Sequence, residues 1–169
     1  MRMRIVIADQ AEARFYDAEG FGRRFAGSGS LRNPAGRLHE RELGTDRPAR
    51  VFERAAIPGR RRGASARHAS GGEQVQRRHS VALFARRIGA ELERSSRARP
   101  FDALVLVAGP RFLGLLRRSL PATVREKVIA TVPKDIVHQE AEDLLKYLPR
   151  NLFSSLARLP GARRTTARG

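Results

Sequence analysis

Residues 101–118 read FDALVLVAGPRFLGLLRR, and this stretch constrains the fold more than any other. Ala103 to Val107 form five consecutive apolar residues between a polar start and the break at Gly109-Pro110. A short apolar run bounded by breakers predicts a strand buried on both faces. Phe112, Leu115 and Leu116 then recur at i, i+3 and i+4, the spacing of one helix face. Strand, tight turn and helix within eighteen residues predict the centre of an α/β sheet. Pro110 removes a backbone donor where the chain leaves the strand and restricts Gly109 before it.

The rest of the chain arranges itself around that unit. Arg4 to Ala8 and Ala13 to Asp17 predict two strands joined by a turn at Asp9-Gln10-Ala11-Glu12. A weaker third strand, from Arg24 through Leu31, is interrupted by Gly27 and Gly29, and the three make an antiparallel meander. From Asn33 to Gly72 proline and glycine punctuate a long basic loop, of the kind that is either functional or disordered. Residues 73–95 predict one long helix, with Val81, Phe84, Ile88 and Leu92 as its apolar stripe and Ala85 on the same face. Pro121 opens a further helical turn, Lys127 to Val132 predicts the last strand, and Ala141, Leu144, Leu145 and Leu148 predict a closing helix. One domain over residues 1–149 and a basic tail over 150–169 follow.

Charge is the loudest compositional signal, with 34 basic against 17 acidic residues and only Lys127, Lys134 and Lys146 not arginine. Arginine richness also follows from a GC-rich genome, so distribution matters more than total. Residues 47–87 carry eleven arginines against Glu53 and Glu73, while residues 1–46 and 88–149 are close to balanced. That clustering favours a polyanion footprint, nucleic acid foremost. A solvated arginine-biased loop and an acidic membrane or protein surface are the alternatives. Within the cluster, Gly59-Arg60-Arg61-Arg62-Gly63 and Arg67, continued by Arg77 and Arg78 on the long helix, suit close approach to phosphates. No aromatic residue is interleaved at the loop, so this segment is expected to grip backbone and not to read bases.

Several chemistries are excluded or disfavoured. The absence of cysteine removes disulfides and thiolate metal sites. His39, His68, His79 and His138 lack paired ligand spacing, so no metal is expected, and without a Gly-Lys-Ser/Thr phosphate loop or a dinucleotide fingerprint after the first strand no cofactor is expected. No run is long enough for a membrane span and the N-terminus does not read as a signal peptide, which makes a cytoplasmic protein the expectation. Asp9, at the end of the first strand, is expected to form the turn. Gly71-Gly72-Glu73-Gln74, at the predicted helix start, is a weak catalytic candidate: its glycines permit unusual dihedrals and Glu73 favours the positive helix end.

VIADQAEARFYD, TDRPARVF at 45–52, FARRIGAEL, FDALVLVAGPRFLGLLR and VPKDI at 132–136 resemble, in order, the bacterial host attachment proteins, a family named for a phenotype. Asp9, Asp46, Arg47, Gly109, Pro110, Gly114, Arg117, Lys134 and Asp135 carry the resemblance. That family is in turn similar to the middle domain of archaeal and eukaryotic class 1 peptide-chain release factors. The resemblance implies an RNase H-like α/β fold, with an antiparallel meander and parallel strands packed by helices, and a ribosomal surface as partner. It also implies a Gly-Gly-Gln loop, where this chain has Gly71-Gly72-Glu73, and a carboxylate there would be repelled by rRNA phosphate. The expected function is therefore a non-enzymatic RNA- or ribosome-binding factor. A peptidyl-tRNA hydrolase of the release or rescue type is the enzymatic alternative, and a regulator of attachment acting through protein partners is the third.

Overall fold

The computed structural model describes residues 2–19, 25–37, 65–139 and 143–149. Its centre is a five-stranded mixed sheet in the order β3-β2-β1-β4-β5. β1 is Arg2–Ala8, β2 Glu12–Glu19, β3 Ala26–Arg32, β4 Ala103–Ala108 and β5 Val128–Val132. The first three strands form the expected antiparallel meander, with Ile5 opposite Tyr16 and Phe15 opposite Gly29. β4 then joins β1 in parallel, Ile5 beside Val105, and β5 joins β4 in parallel.

β1 therefore holds the middle of the sheet, and the strand expected at the centre, β4, lies beside it. The apolar run is no guide to which of the two is innermost. β5 covers the outer edge of β4, so every β4 residue is buried, as are Met3 to Ala8 in β1. Alternation sorts the side chains onto two faces. Val6, Ala8, Phe15, Leu104 and Leu106 meet one layer of helices, while Met3, Ile5, Ile7, Val105 and Val107 pack with Val132, Ile136, Val137 and Leu148.

The first face is covered by two helices, α2 (Ser65–Ala98) and α3 (Pro110–Ser119). The predicted stripe of Phe84, Ala85, Ile88 and Leu92 is buried, with Val81 half-buried at its edge. Burying each large member contributes about 1.5–3 kcal/mol. Phe84 and Phe112 stack between the helices with centroids 6.2 Å apart. Gly89 permits the close crossing, since a Cβ there would lie 2.7 Å from the Ser119 carbonyl oxygen.

Three boundaries differ from the sequence reading. α2 begins eight residues earlier than expected, so Gly71 and Gly72 lie inside it and do not end a loop. Each glycine costs about 1 kcal/mol against alanine in a helix, and the buried stripe further along the helix outweighs that. Pro121 stands just before α4 (Ala122–Arg125) as its cap, its carbonyl accepting from the Val124 and Arg125 amides. The region expected to be loop from Asn33 opens with a short helix, α1 (Pro34–Arg37), packed so closely on the β1–β2 turn that a Cβ on Gly36 would lie 2.7 Å from the Ala11 Cα. Positions 38–64 and 150–169 lie outside the described residues. Of the predicted closing helix, α5 (Leu144–Tyr147) is described. β3 carries one positive φ, 149° at Gly29, beside the irregularity in its pairing with β2.

Candidate nucleic-acid interface

The topology opens a crevice at the carboxyl ends of β1 and β4. The chain leaves β1 by a hairpin to one side of the sheet and leaves β4 through α3 and α4 to β5 on the other. Loops diverge where the strand order reverses, and α/β sheets bind ligands at that point. Asp9 and Gln10 follow β1, Gly109-Pro110-Arg111 follow β4, and Lys134-Asp135 follow β5.

Asp9 has the turn role expected of it, and something more. Its Oδ1 accepts from the amides of Ala11 at 2.7 Å and Glu12 at 2.6 Å, which locks the hairpin. Its Oδ2 is buried without a hydrogen-bond partner among the described residues. A buried acceptor left unmade costs about 1–3 kcal/mol. The exposed His138 ring has its Nε2 3.9 Å away, beyond hydrogen-bond reach. The neighbouring Glu12 is also buried and accepts from Arg14 Nε at 3.2 Å, which raises the Arg14 guanidinium above its ordinary value.

On the helical side of the same edge lies a groove of about 420 Å³ between α2 and α3. α2 supplies Arg77, Arg78, Val81 and Ala82; α3 supplies Arg111, Leu115 and Arg118; Gln10 closes the end. The spacing explains the convergence. Residues 77, 78, 81 and 82 share one α2 face one turn apart, and 111, 115 and 118 lie at i, i+4 and i+7 along α3. Arg118 lies back along its helix, with Nη1 3.9 Å from where a Gly114 Cβ would stand. Among the described residues, no acidic side chain lines the groove. Arg78, Arg111 and Arg118 are exposed and have no ion pair among the described residues. Arginine forks suit planar, bidentate capture of phosphate oxygens.

Of the residues singled out from sequence, the fold brings Arg77 and Arg78 into this groove. Arg67, Gly71, Gly72 and Glu73 belong to the first half of α2, and Gln74 is exposed there. Arg60, Arg61, Arg62, Asp46 and Arg47 lie outside the described residues. Gly109 caps α3, Pro110 is its first residue, and Arg117 is exposed on it without lining the groove. Gly109 faces Asp135, whose Cβ would lie 3.8 Å from a Cβ on the glycine, and Lys134 Nζ sits 5.4 Å above the Tyr147 ring. Gln10, Arg111 and Arg118 were not anticipated. The signal for the two arginines is their placement around Leu115 at helical spacing, inside a block read for its core residues.

No three histidine, aspartate or glutamate side chains gather as a metal site among the described residues. Among the same residues, no helix is long and apolar enough to cross a membrane. Fold and groove together define a mixed α/β protein with an arginine-lined hollow at the carboxyl edge of its sheet. The chain belongs to the family described as "Protein required for attachment to host cells", whose model matches residues 4–148. No curated protein matches the chain.

Proposed function

We propose that this protein is a cytoplasmic, non-enzymatic RNA-binding factor directed at ribosomal RNA or tRNA, with the arginine groove as its contact. The observation that carries the reading is four converging arginines with no acid among the described lining residues, three of them, Arg78, Arg111 and Arg118, without an ion pair there. Arg60, Arg61, Arg62 and Arg67 extend the same charge along the chain. The strand order β3-β2-β1-β4-β5, an antiparallel meander followed by two parallel strands, supports reading the sheet as RNase H-like and akin to the release-factor middle domain. Peptidyl-tRNA hydrolysis is not part of this reading, because Gly71 and Gly72 fall within α2 and Glu73 stands in place of the glutamine.

Ribosome co-sedimentation across a salt series tests it, with the Arg78→Ala/Arg118→Ala variant run alongside. Saturable binding is expected, with log affinity falling against log salt by about 0.7–0.9 for each phosphate neutralised. The variant should bind more weakly and with a shallower slope. Unsaturable binding matched by random RNA, and unchanged in the variant, would reduce the charge to a compositional feature.

A further inference from the structure

We propose that the α2–α3 groove seats one unstacked nucleotide of single-stranded RNA, its phosphate held by the arginines and its base lying on the apolar floor. This rests on the RNA-binding reading and narrows it to a substrate class. The floor is the first reason. Val81, Ala82 and Leu115 are half-buried apolar side chains lying among four guanidiniums. Phosphates have no use for such a floor, whereas a base turned out of its stack covers it and is flanked by guanidinium planes that can stack on it. An A-form duplex keeps its bases inside and would offer this site only backbone.

Size is the second reason. A hollow of about 420 Å³ falls in the range of small-ligand pockets, well suited to one nucleotide and too confined for a helix. Gln10 is the third. It is the one uncharged polar side chain in the lining, and no hydrogen bond engages its side-chain amide among the described residues. Its backbone is fixed, the carbonyl accepting from Asn33 Nδ2 at 2.9 Å while α1 packs against the turn. A clamped residue presenting a free amide, at once donor and acceptor, can meet the edge of a seated base.

Fluorescence anisotropy with the full chain tests this, comparing a short labelled single-stranded RNA with the same strand annealed to its complement. The single strand is expected to bind about tenfold more tightly, although the duplex has the denser charge. Leu115→Ser, checked for retained fold by circular dichroism, should lose about tenfold for the single strand, the scale of one lost apolar contact, and leave duplex binding unchanged. Gln10→Ala should level the preference among homopolymers without altering the salt slope. Duplex binding as tight as single-strand binding, or equal losses for both in Leu115→Ser, would overturn the inference and leave the RNA-binding reading standing. Binding to neither RNA would overturn both.

Discussion

Two hollows flank α2, and they treat their arginines in opposite ways. The larger, about 740 Å³ between β3 and the C-terminal half of the helix, is lined by Arg2, Arg4, Arg94 and Arg99 together with Asp17, Glu19 and Glu91. Three of those arginines are matched within the lining: Arg2 to Glu19 at 2.9 Å, Arg4 to Asp17 at 2.7 Å and Arg94 to Glu91 at 2.6 Å. The smaller, between α2 and α3, has four arginines and no acid among the described residues. Volume alone would favour the first as a ligand site and charge pairing favours the second. A guanidinium already held by a carboxylate must give up that partner before it binds phosphate, so the groove, where Arg78, Arg111 and Arg118 have no ion pair among the described residues, is the better anion receptor.

The sharpest way to probe the matched cleft is Arg4→Ala. The Arg4 side chain is 4% exposed and Asp17 12%, with Arg4 Nε and Nη2 donating to the two carboxylate oxygens at 2.7 and 2.9 Å. Arg4 also donates to Ser95 and lies 5.1 Å from the Phe101 ring centre. Removing it leaves a largely buried carboxylate uncompensated, at a cost of about 3 kcal/mol, read by urea unfolding. Arg4→Met combined with Asp17→Leu should recover most of that, since a hydrophobic pair of similar volume is often neutral or better. A single-variant loss no larger than that of a surface pair would mean the cleft is wetter than its geometry implies.

Next in size is Gly89→Ala, which acts on the wall shared by core and groove. Alanine gains about 1 kcal/mol of helix propensity, but its Cβ would lie 2.7 Å from Ser119 oxygen and 3.3 Å from Pro121 Cδ. Backbone must move, and overpacking of this kind costs about 1–3 kcal/mol. A net loss of stability is expected, with weaker RNA binding as α3 shifts away. A stabilised variant would show that the helices separate freely, and the groove would then have no fixed width.

Much of this frame was readable in residue order. Ala103 to Val107 announced a doubly buried strand because no polar residue interrupts it, and Phe84, Ile88 and Leu92 announced a helix face through their period. The start of α2 was not readable. Gly71-Gly72 looks like a loop ending, and its local penalty is overridden by a helix whose stability comes from its far half. The Arg4–Asp17 pair emerges only once the hairpin register sets them opposite one another. The groove was half visible: Arg77 and Arg78 stood out as charge, but Arg111 and Arg118 join them only when two helices separated by a strand come together. Periodicity within one segment carries no information about that meeting. Asp9 was legible as a turn residue because one oxygen does local work; the orphaned second oxygen is a property of the assembled edge.

Within the groove, Arg78→Ala and Arg118→Ala should separate binding from stability. Both side chains are exposed, so each change should stay within about 0.5 kcal/mol in unfolding. Each should also flatten the salt dependence of single-stranded RNA binding by about 0.7. A changed unfolding midpoint with an unchanged salt slope would reverse the assignment and make these arginines part of the scaffold.

The smallest effect is expected from Arg94→Ala, and it bears most directly on the contrast between the hollows. Arg94 is 79% exposed and pairs with Glu91 one helical turn away. Exposed pairs of this kind contribute about 0–1 kcal/mol, less as salt is added. Stability should barely change, and the RNA salt slope should remain that of the wild type, because this arginine is already answered by a carboxylate. Removing it leaves Glu91 facing the cleft alone, which would repel any phosphate there. If Arg94→Ala weakened RNA binding as much as Arg78→Ala, the polyanion would have to enter the larger cleft, exchanging with its carboxylates. The ion pairs would then be displaceable guards of a site, and the rule that unmatched arginine marks the interface would fail for this protein.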